Sequence, residues 1–137
     1  QFFFQHIIPA TDNVALLGHA STDGGSSYDT TNGNYHSGGL TDRTGFVIVT
    51  TGVGSDTNEF GYSGIFYLFS PHNASAYTFA QARGVYQFVD GGVYTAEAYG
   101  DTSTAHLIAQ DTDAVRFAFN SGNIVSGEIV MYGIKNA

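Results

Sequence analysis

The groups able to move protons or hold metals in this chain are five histidines, His6, His19, His36, His72 and His106, and twelve carboxylates. The histidines are dispersed, and none of the His-x-His, His-x3-His or His-Glu-x-x-His spacings that put two imidazoles on one metal is present. Asp111-Thr-Asp113 and Asp56, Asp90 and Asp101 lie in turn-like stretches, without the Asp-x-Asp-x-Asp-Gly loop and closing Glu that enclose calcium. A glycosidase needs two carboxylates at a set distance in space. The glutamates are Glu59, Glu97 and Glu128; Glu97 falls in an alternating strand and Glu128 at a strand start, neither a special setting. There is no cysteine, which removes thiol catalysis, disulfides, zinc-thiolate sites and iron–sulfur clusters. No Gly-x-Ser-x-Gly elbow occurs, and Gly24-Gly25 does not lead into a helix, so no phosphate cradle is indicated. These residues read as noncatalytic, with no catalytic residue, metal site or cofactor expected.

Recognition chemistry is better represented. Tyr28, Tyr35 and Tyr62 lie in polar stretches with Asn32, Asn34, His36 and Asp42 nearby. Tyr supplies rigid contact area and Asn, Ser and Gly supply adaptable hydrogen bonds, and a tyrosine ring also stacks on a sugar. The expected ligand-binding set is therefore Tyr28, Asn32, Tyr35, His36 and Tyr62, with a polar loop covering a sheet edge as the plainer reading. Within it, Ser21-Thr-Asp23-Gly-Gly25-Ser-Ser27-Tyr28 resembles the Asp-box, Ser-x-Asp-x-Gly-x-Thr-Trp, with Ser27 and Tyr28 in the last two places. In that motif the carboxylate accepts from turn amides and an aromatic packs beneath. Ser21, Asp23, Gly25 and Tyr28 are thus expected to form a structural turn. One copy in so short a chain excludes a sialidase-like propeller.

The elements that must position these residues read as strands. At 137 residues and 14.5 kDa the chain is one domain, 1–137. Candidate strands are Gln1–Ile8, Val14–His19, Thr44–Thr51, Ser63–Ser70, Ala76–Gln81, Gly84–Val89, Val93–Tyr99, Thr104–Ala109, Ala114–Phe119 and Ser126–Ile134, rich in Val, Ile, Phe, Tyr and Thr between turn formers. Val115, Phe117 and Phe119 alternate with Arg116 and Ala118. No helical apolar period persists for three turns, and Ala80–Arg83 makes one helical turn at most. The pattern predicts an all-β fold, an antiparallel β-sandwich of jelly-roll type, with a closed barrel as the alternative. Asn120-Ser-Gly-Asn123 reads as a hairpin turn that would bring Arg116 near Glu128. Pro9–Asn13 reads as a turn that would make His6 and His19 cross-strand neighbours. Residues 22–41 read as a long loop or an edge hairpin.

Four cations, Arg43, Arg83, Arg116 and Lys135, against a formal net charge of −8 argue against nucleic acid and anionic membranes as partners. No apolar run approaches the roughly 20 residues of a membrane span. The start, Gln1-Phe-Phe-Phe4, has no basic leader segment, and the chain reads as a processed product or a piece of a longer protein. Asn73-Ala-Ser75 matches a glycosylation acceptor, relevant only in a eukaryotic secretory host.

Both ends carry a resemblance. Phe2-x-Phe4-x-x-Ile7-Ile8-Pro9-Ala10-Thr11-Asp12-Asn13-Val14-x-Leu16-Leu17 runs into the Ser21–Tyr28 box, and Val115-Arg-Phe117-x-Phe119-x-Ser121-Gly-Asn123-Ile-x-Ser126-Gly127 runs into Met131-Tyr132-Gly133-Ile134-Lys135. Together they resemble a recurrent β-domain of tailed-bacteriophage virion proteins, structural, head-fibre or tail-fibre. The family usually has Leu where Met131 stands and a longer polar or basic strand end at Gly18-His19, and residues 58–109 carry no match. The resemblance implies a noncatalytic virion component, a capsid decoration or head- or tail-fibre protein located on the extracellular particle. Its partners would be other virion proteins and a host-surface glycan. The closing Glu128–Ile134 segment is apolar on both faces, so it should be central or covered by another subunit. That predicts a homo-oligomer, a trimer if the protein is a fibre. The alternative reading is a carbohydrate-binding module of a secreted protein, and a third is a small polysaccharide-degrading enzyme.

Overall fold

The structure is a computed structural model that describes residues 1–56, 59–90 and 93–133. The side chains of residue 41 and residues 88–101 lie outside that description, as do Ile134 and Lys135 of the closing motif. The chain forms β1 (Phe2–Pro9), β2 (Val14–Ser21), β3 (Tyr35–Ser37), β4 (Leu40–Arg43), β5 (Phe46–Val53), β6 (Tyr62–Phe69), β7 (Thr78–Asp90), β8 (Val93–His106), β9 (Ala114–Phe119) and β10 (Ile124–Met131). They build an antiparallel β-sandwich: a seven-stranded sheet ordered β10-β1-β6-β7-β8-β3-β4 and a three-stranded sheet ordered β5-β2-β9. Neither sheet closes on itself, so the fold is a sandwich and not a barrel.

Between the sheets lies an aromatic core. Phe117 of β9 meets Phe2, Phe4 and Phe66 edge-on at 4.9, 4.8 and 5.5 Å between centroids. Phe46 of β5 bridges to Phe66 at 5.9 Å and to Tyr35 at 5.1 Å. Edge-to-face pairs satisfy the ring quadrupoles, adding roughly 0.5–1.5 kcal/mol each beyond the buried area. Phe119 is buried in the same core and Arg116, just before Phe117 on β9, is exposed, as alternation requires.

Several sequence expectations change. Ala76–Gln81 and Gly84–Val89 are one strand, β7, and Ala80–Arg83 is extended within it. Likewise Val93–Tyr99 and the start of Thr104–Ala109 join as β8. Gly84 does not end a strand, because it answers a packing need. It faces Gly64 across β6 and β7, and the Tyr62 ring lies over the pair, so that a Cβ on Gly84 would come 2.5 Å from that ring. Residues 22–41 end in the short edge hairpin β3–β4.

The segment Asn120–Asn123 is a turn but not a hairpin. It carries the chain from β9 in the small sheet to β10 in the large one. Asn120 accepts from the Ala15 amide through Oδ1 at 2.9 Å and donates its own amide to the Ala15 carbonyl at 3.0 Å, closing the β2–β9 ladder. Arg116 therefore stands opposite His19, while Glu128 stands opposite Gln5. In the same way, residues 9–13 pass between sheets, and His6 and His19 are not cross-strand neighbours. The first and last strands adjoin: β1 pairs with β10 from Phe2↔Met131 to Pro9↔Ile124.

Candidate functional site

The Ser21–Tyr28 turn is built as its motif requires. Asp23 accepts the Ser27 amide on Oδ1 at 2.9 Å, the Ser27 hydroxyl on Oδ2 at 2.6 Å and the Ser21 hydroxyl on Oδ1 at 2.8 Å. The hydroxyl and amide of Ser27, with the Ser21 hydroxyl, hold the Asp23 carboxyl down at about 2. Ser21 Oγ in turn accepts the Gly25 amide at 3.0 Å. Gly24 and Gly25 take φ of 70° and 86°, a region glycine enters without a Cβ penalty. Gly24 N donates to Asp113 at 2.9 Å, tying the turn to the start of β9. Tyr28 lies against Arg116 of β9, whose guanidinium sits 4.7 Å from the ring centre.

Below the turn, Asp29 is a half-buried junction. Its carboxylate accepts from the Thr31 amide at 2.8 Å and the Asn34 amide group at 2.7 Å, and it meets His106 Nε2 at 2.8 Å. Partial burial pushes the Asp29 carboxyl up, yet the bonds from His106, Thr31 and Asn34 outweigh it and leave the group at about 2. An imidazole on a carboxylate is half of an acid–base dyad, but here no solvent reaches the ring. His106 is wholly buried, lies against Tyr35 at 4.6 Å between centroids, and receives Gln110 Nε2 on its other nitrogen at 3.3 Å. This pair clamps the 22–34 loop over one flank of the large sheet.

The expected ligand-binding residues do not converge. Tyr35 and Tyr62 are fully buried, which corrects both as ligand contacts. The Tyr35 hydroxyl accepts the Ala20 amide at 3.0 Å and donates to the Asp29 carbonyl at 2.9 Å, so its polar tip serves the core. Burial pushes both phenols up, and the Tyr62 hydroxyl has no hydrogen-bond partner among the described residues. Tyr28 is half-buried against Arg116 and Asn32 is exposed on the loop. His36, on β3, lines a concave surface.

That surface is a groove of about 600 Å³ on the outer face of the seven-stranded sheet. Two adjacent cross-strand rows build it. One runs Phe69–Phe79–Ala105–His36 across β6, β7, β8 and β3, and the next runs Tyr67–Gln81–Ser103. Ala105 is the smallest member of the first row and leaves a notch between the larger side chains of Phe79 and His36. Gly38 and Gly39 border the notch without side chains. Phe69 and Phe79 are 48% and 55% exposed, unusual for phenylalanines side by side on a sheet. Tyr67 stands parallel to Phe69, 6.2 Å between centroids.

The chain matches no family model, no curated protein and no solved structure. Its site must be read from its own residues. A second exposed apolar zone lies along β10, where Val125 is 65% and Met131 is 70% exposed beside Ile129 and Tyr132. The carboxylates weighed for hydrolysis sit in different elements. Glu59 is buried ahead of β6, its Oε2 accepting the Asp56 amide at 2.7 Å, and Glu128 is exposed on β10. Glu97 lies on β8 with its side chain outside the described residues. Among the described residues no group of three His, Asp or Glu is placed to hold a metal.

Sequence reasoning missed Tyr67, Phe69, Phe79, Gln81 and Ser103. The signal was alternation: Ile65, Tyr67 and Phe69 share one face of β6, and Phe79, Gln81 and Arg83 share the matching face of β7. Both faces of β6 are apolar, so alternation alone did not tell which one meets solvent.

Proposed function

We propose that this protein is a noncatalytic structural component of a bacteriophage virion, a capsid decoration or head- or tail-fibre module that assembles as a homo-oligomer and contacts a host-surface glycan. One observation carries the reading. The two segments that resemble phage virion β-domains, distant in sequence, pair with each other in both sheets, β1 with β10 and β2 with β9, so one flank of the large sheet is built from resembling residues. That flank ends in a strand whose outer edge has no partner among the described residues and whose apolar side chains are exposed. An unpaired, apolar edge is a template for another chain, and an assembly subunit has a use for it. The loop–sheet clamp at Asp29 and His106 supports a rigid presentation scaffold over a moving active site.

A carbohydrate-binding module of a secreted protein is the second reading, favoured by the aromatic groove alone. Sedimentation equilibrium separates the two. The virion reading expects a defined oligomer, a trimer in a fibre, and its localisation to the particle in an electron-microscopy map. A strictly monomeric 14.5 kDa species at all concentrations would contradict it.

A further inference from the structure

The groove has a composition that selects its ligand. Its aromatic wall is Phe69 and Phe79, and next to it stand the amide of Gln81, the hydroxyl of Ser103 and the imidazole of His36. An apolar ligand would find these polar groups without partners, and a purely polar ligand would gain nothing from two exposed rings. A pyranose satisfies both, because one face carries C–H groups that pack on an aromatic ring while its rim carries hydroxyls that donate and accept. About 600 Å³ lies within the range of small-ligand sites, roughly 300–1,000 Å³.

Charge narrows the class further. The chain carries a formal net charge of −8, yet among the described residues no carboxylate, lysine or arginine lines the groove. Arg83 is on the same sheet face but opposite Ile65, one row beyond Tyr67 and Gln81. A sialylated or sulfated sugar would need a cation in the lining, and a cationic ligand would need a carboxylate. The β10 edge, not this groove, carries the features of a subunit contact, since it combines unpaired backbone with apolar side chains.

We propose that this groove binds a neutral oligosaccharide, one sugar ring packing on Phe79 and Phe69 with its hydroxyls on Gln81, Ser103 and His36. The proposal deepens the glycan-contact part of the function above and rests on it. The test is a glycan array carrying neutral hexose and N-acetylhexosamine oligosaccharides beside sialylated and sulfated ones, followed by titration of the best neutral oligosaccharide. Binding should fall on neutral members, and Phe79→Ala and Phe69→Ala should each weaken it about tenfold, the effect of removing a half-exposed ring from a stacked contact. Gln81→Ala, a polar change that leaves the rings in place, should weaken it as well, and Tyr28→Ala should leave it unchanged. Binding confined to acidic glycans, binding untouched by all three groove variants, or no binding to any array member would overturn the proposal. So would a changed oligomer mass in Phe79→Ala, which would make the face a subunit contact. Sedimentation of the wild-type chain reads the assembly hypothesis separately, so a failed array with an intact oligomer removes the groove assignment alone.

Discussion

His19 shows how one buried side chain sets the acid tolerance of the fold. It is buried on β2, its Nδ1 has no hydrogen-bond partner among the described residues, and it stands opposite Arg116. Burial, helped by the Arg116 charge and opposed by Asp29, lowers it from 6.5 to about 4. Between those values the unfolded chain holds a proton that the folded chain lacks, so stability is full above pH 6.5 and falls as pH drops towards 4. The loss is on the order of 3 kcal/mol. Asp29 acts lower on the scale. Held at about 2, it contributes stability above its ordinary value of 3.8 and loses it as pH falls towards 2. Thermal melts of His19→Asn should therefore be flat between pH 6.5 and 4 where the wild type declines, and parallel curves for the two proteins would refute the assignment. Tyr62 offers a test of the opposite sign. Its buried hydroxyl forfeits hydration without an internal partner among the described residues. Tyr62→Phe should keep the ring contact with Phe4 and raise stability by about 1 kcal/mol in denaturant melts.

The strands are where sequence and structure agree best, because alternation in each one states which residues share a face. Partners are less legible. Turn chemistry at Asn120–Asn123 is real, but identical turn residues serve a hairpin or a passage between sheets. What decides is the pairing of Asn120 with Ala15 and of Ile124 with Pro9, contacts more than 100 residues apart in the chain. Tyr35 was misread for a related reason. A three-residue strand is too short to display a period, and the polar loop before it hides that its tyrosine turns inward. Gly84, which the sequence placed at the start of a strand, is a packing device inside β7, and this can be tested. An alanine there would press on the Tyr62 ring and, at 2.6 Å, on the Ser63 carbonyl, both fixed in the core. Gly84→Ala should cost about 1–3 kcal/mol by denaturant melt. An unchanged midpoint would mean that β6 and β7 separate freely at this row, contrary to the continuous register from Tyr62↔Tyr86 to Phe69↔Phe79.

At the scale of the molecule, the two sheets differ in width, and that difference determines where the protein is unfinished. With strands roughly 4.8 Å apart, seven span about 29 Å and three about 10 Å. The small sheet cannot cover both flanks of the large one. On the β3 side the 22–34 loop closes the gap, fastened by Asp29 to His106 and by Leu107 N to the Asn34 carbonyl at 2.7 Å. On the β10 side no element follows among the described residues, so Ile129 and Met131, which share a face with core-lining Phe4 and with Phe2, reach past the small sheet into solvent. Gly127, at φ 128° beside the β1 bulge at His6, bends this edge without blunting its apolar character. Along the strand itself Glu128 is the one charged residue, so the strand carries little charge to shield that edge. If that edge is the assembly contact, charge placed there should dissolve the oligomer while sparing the fold, because both target side chains already meet water. Val125→Lys combined with Met131→Lys is expected to shift sedimentation to the monomer with the thermal midpoint of the subunit nearly unchanged. A double variant that keeps the wild-type mass would place the contact elsewhere on the sandwich and leave β10 a tolerated exposed edge.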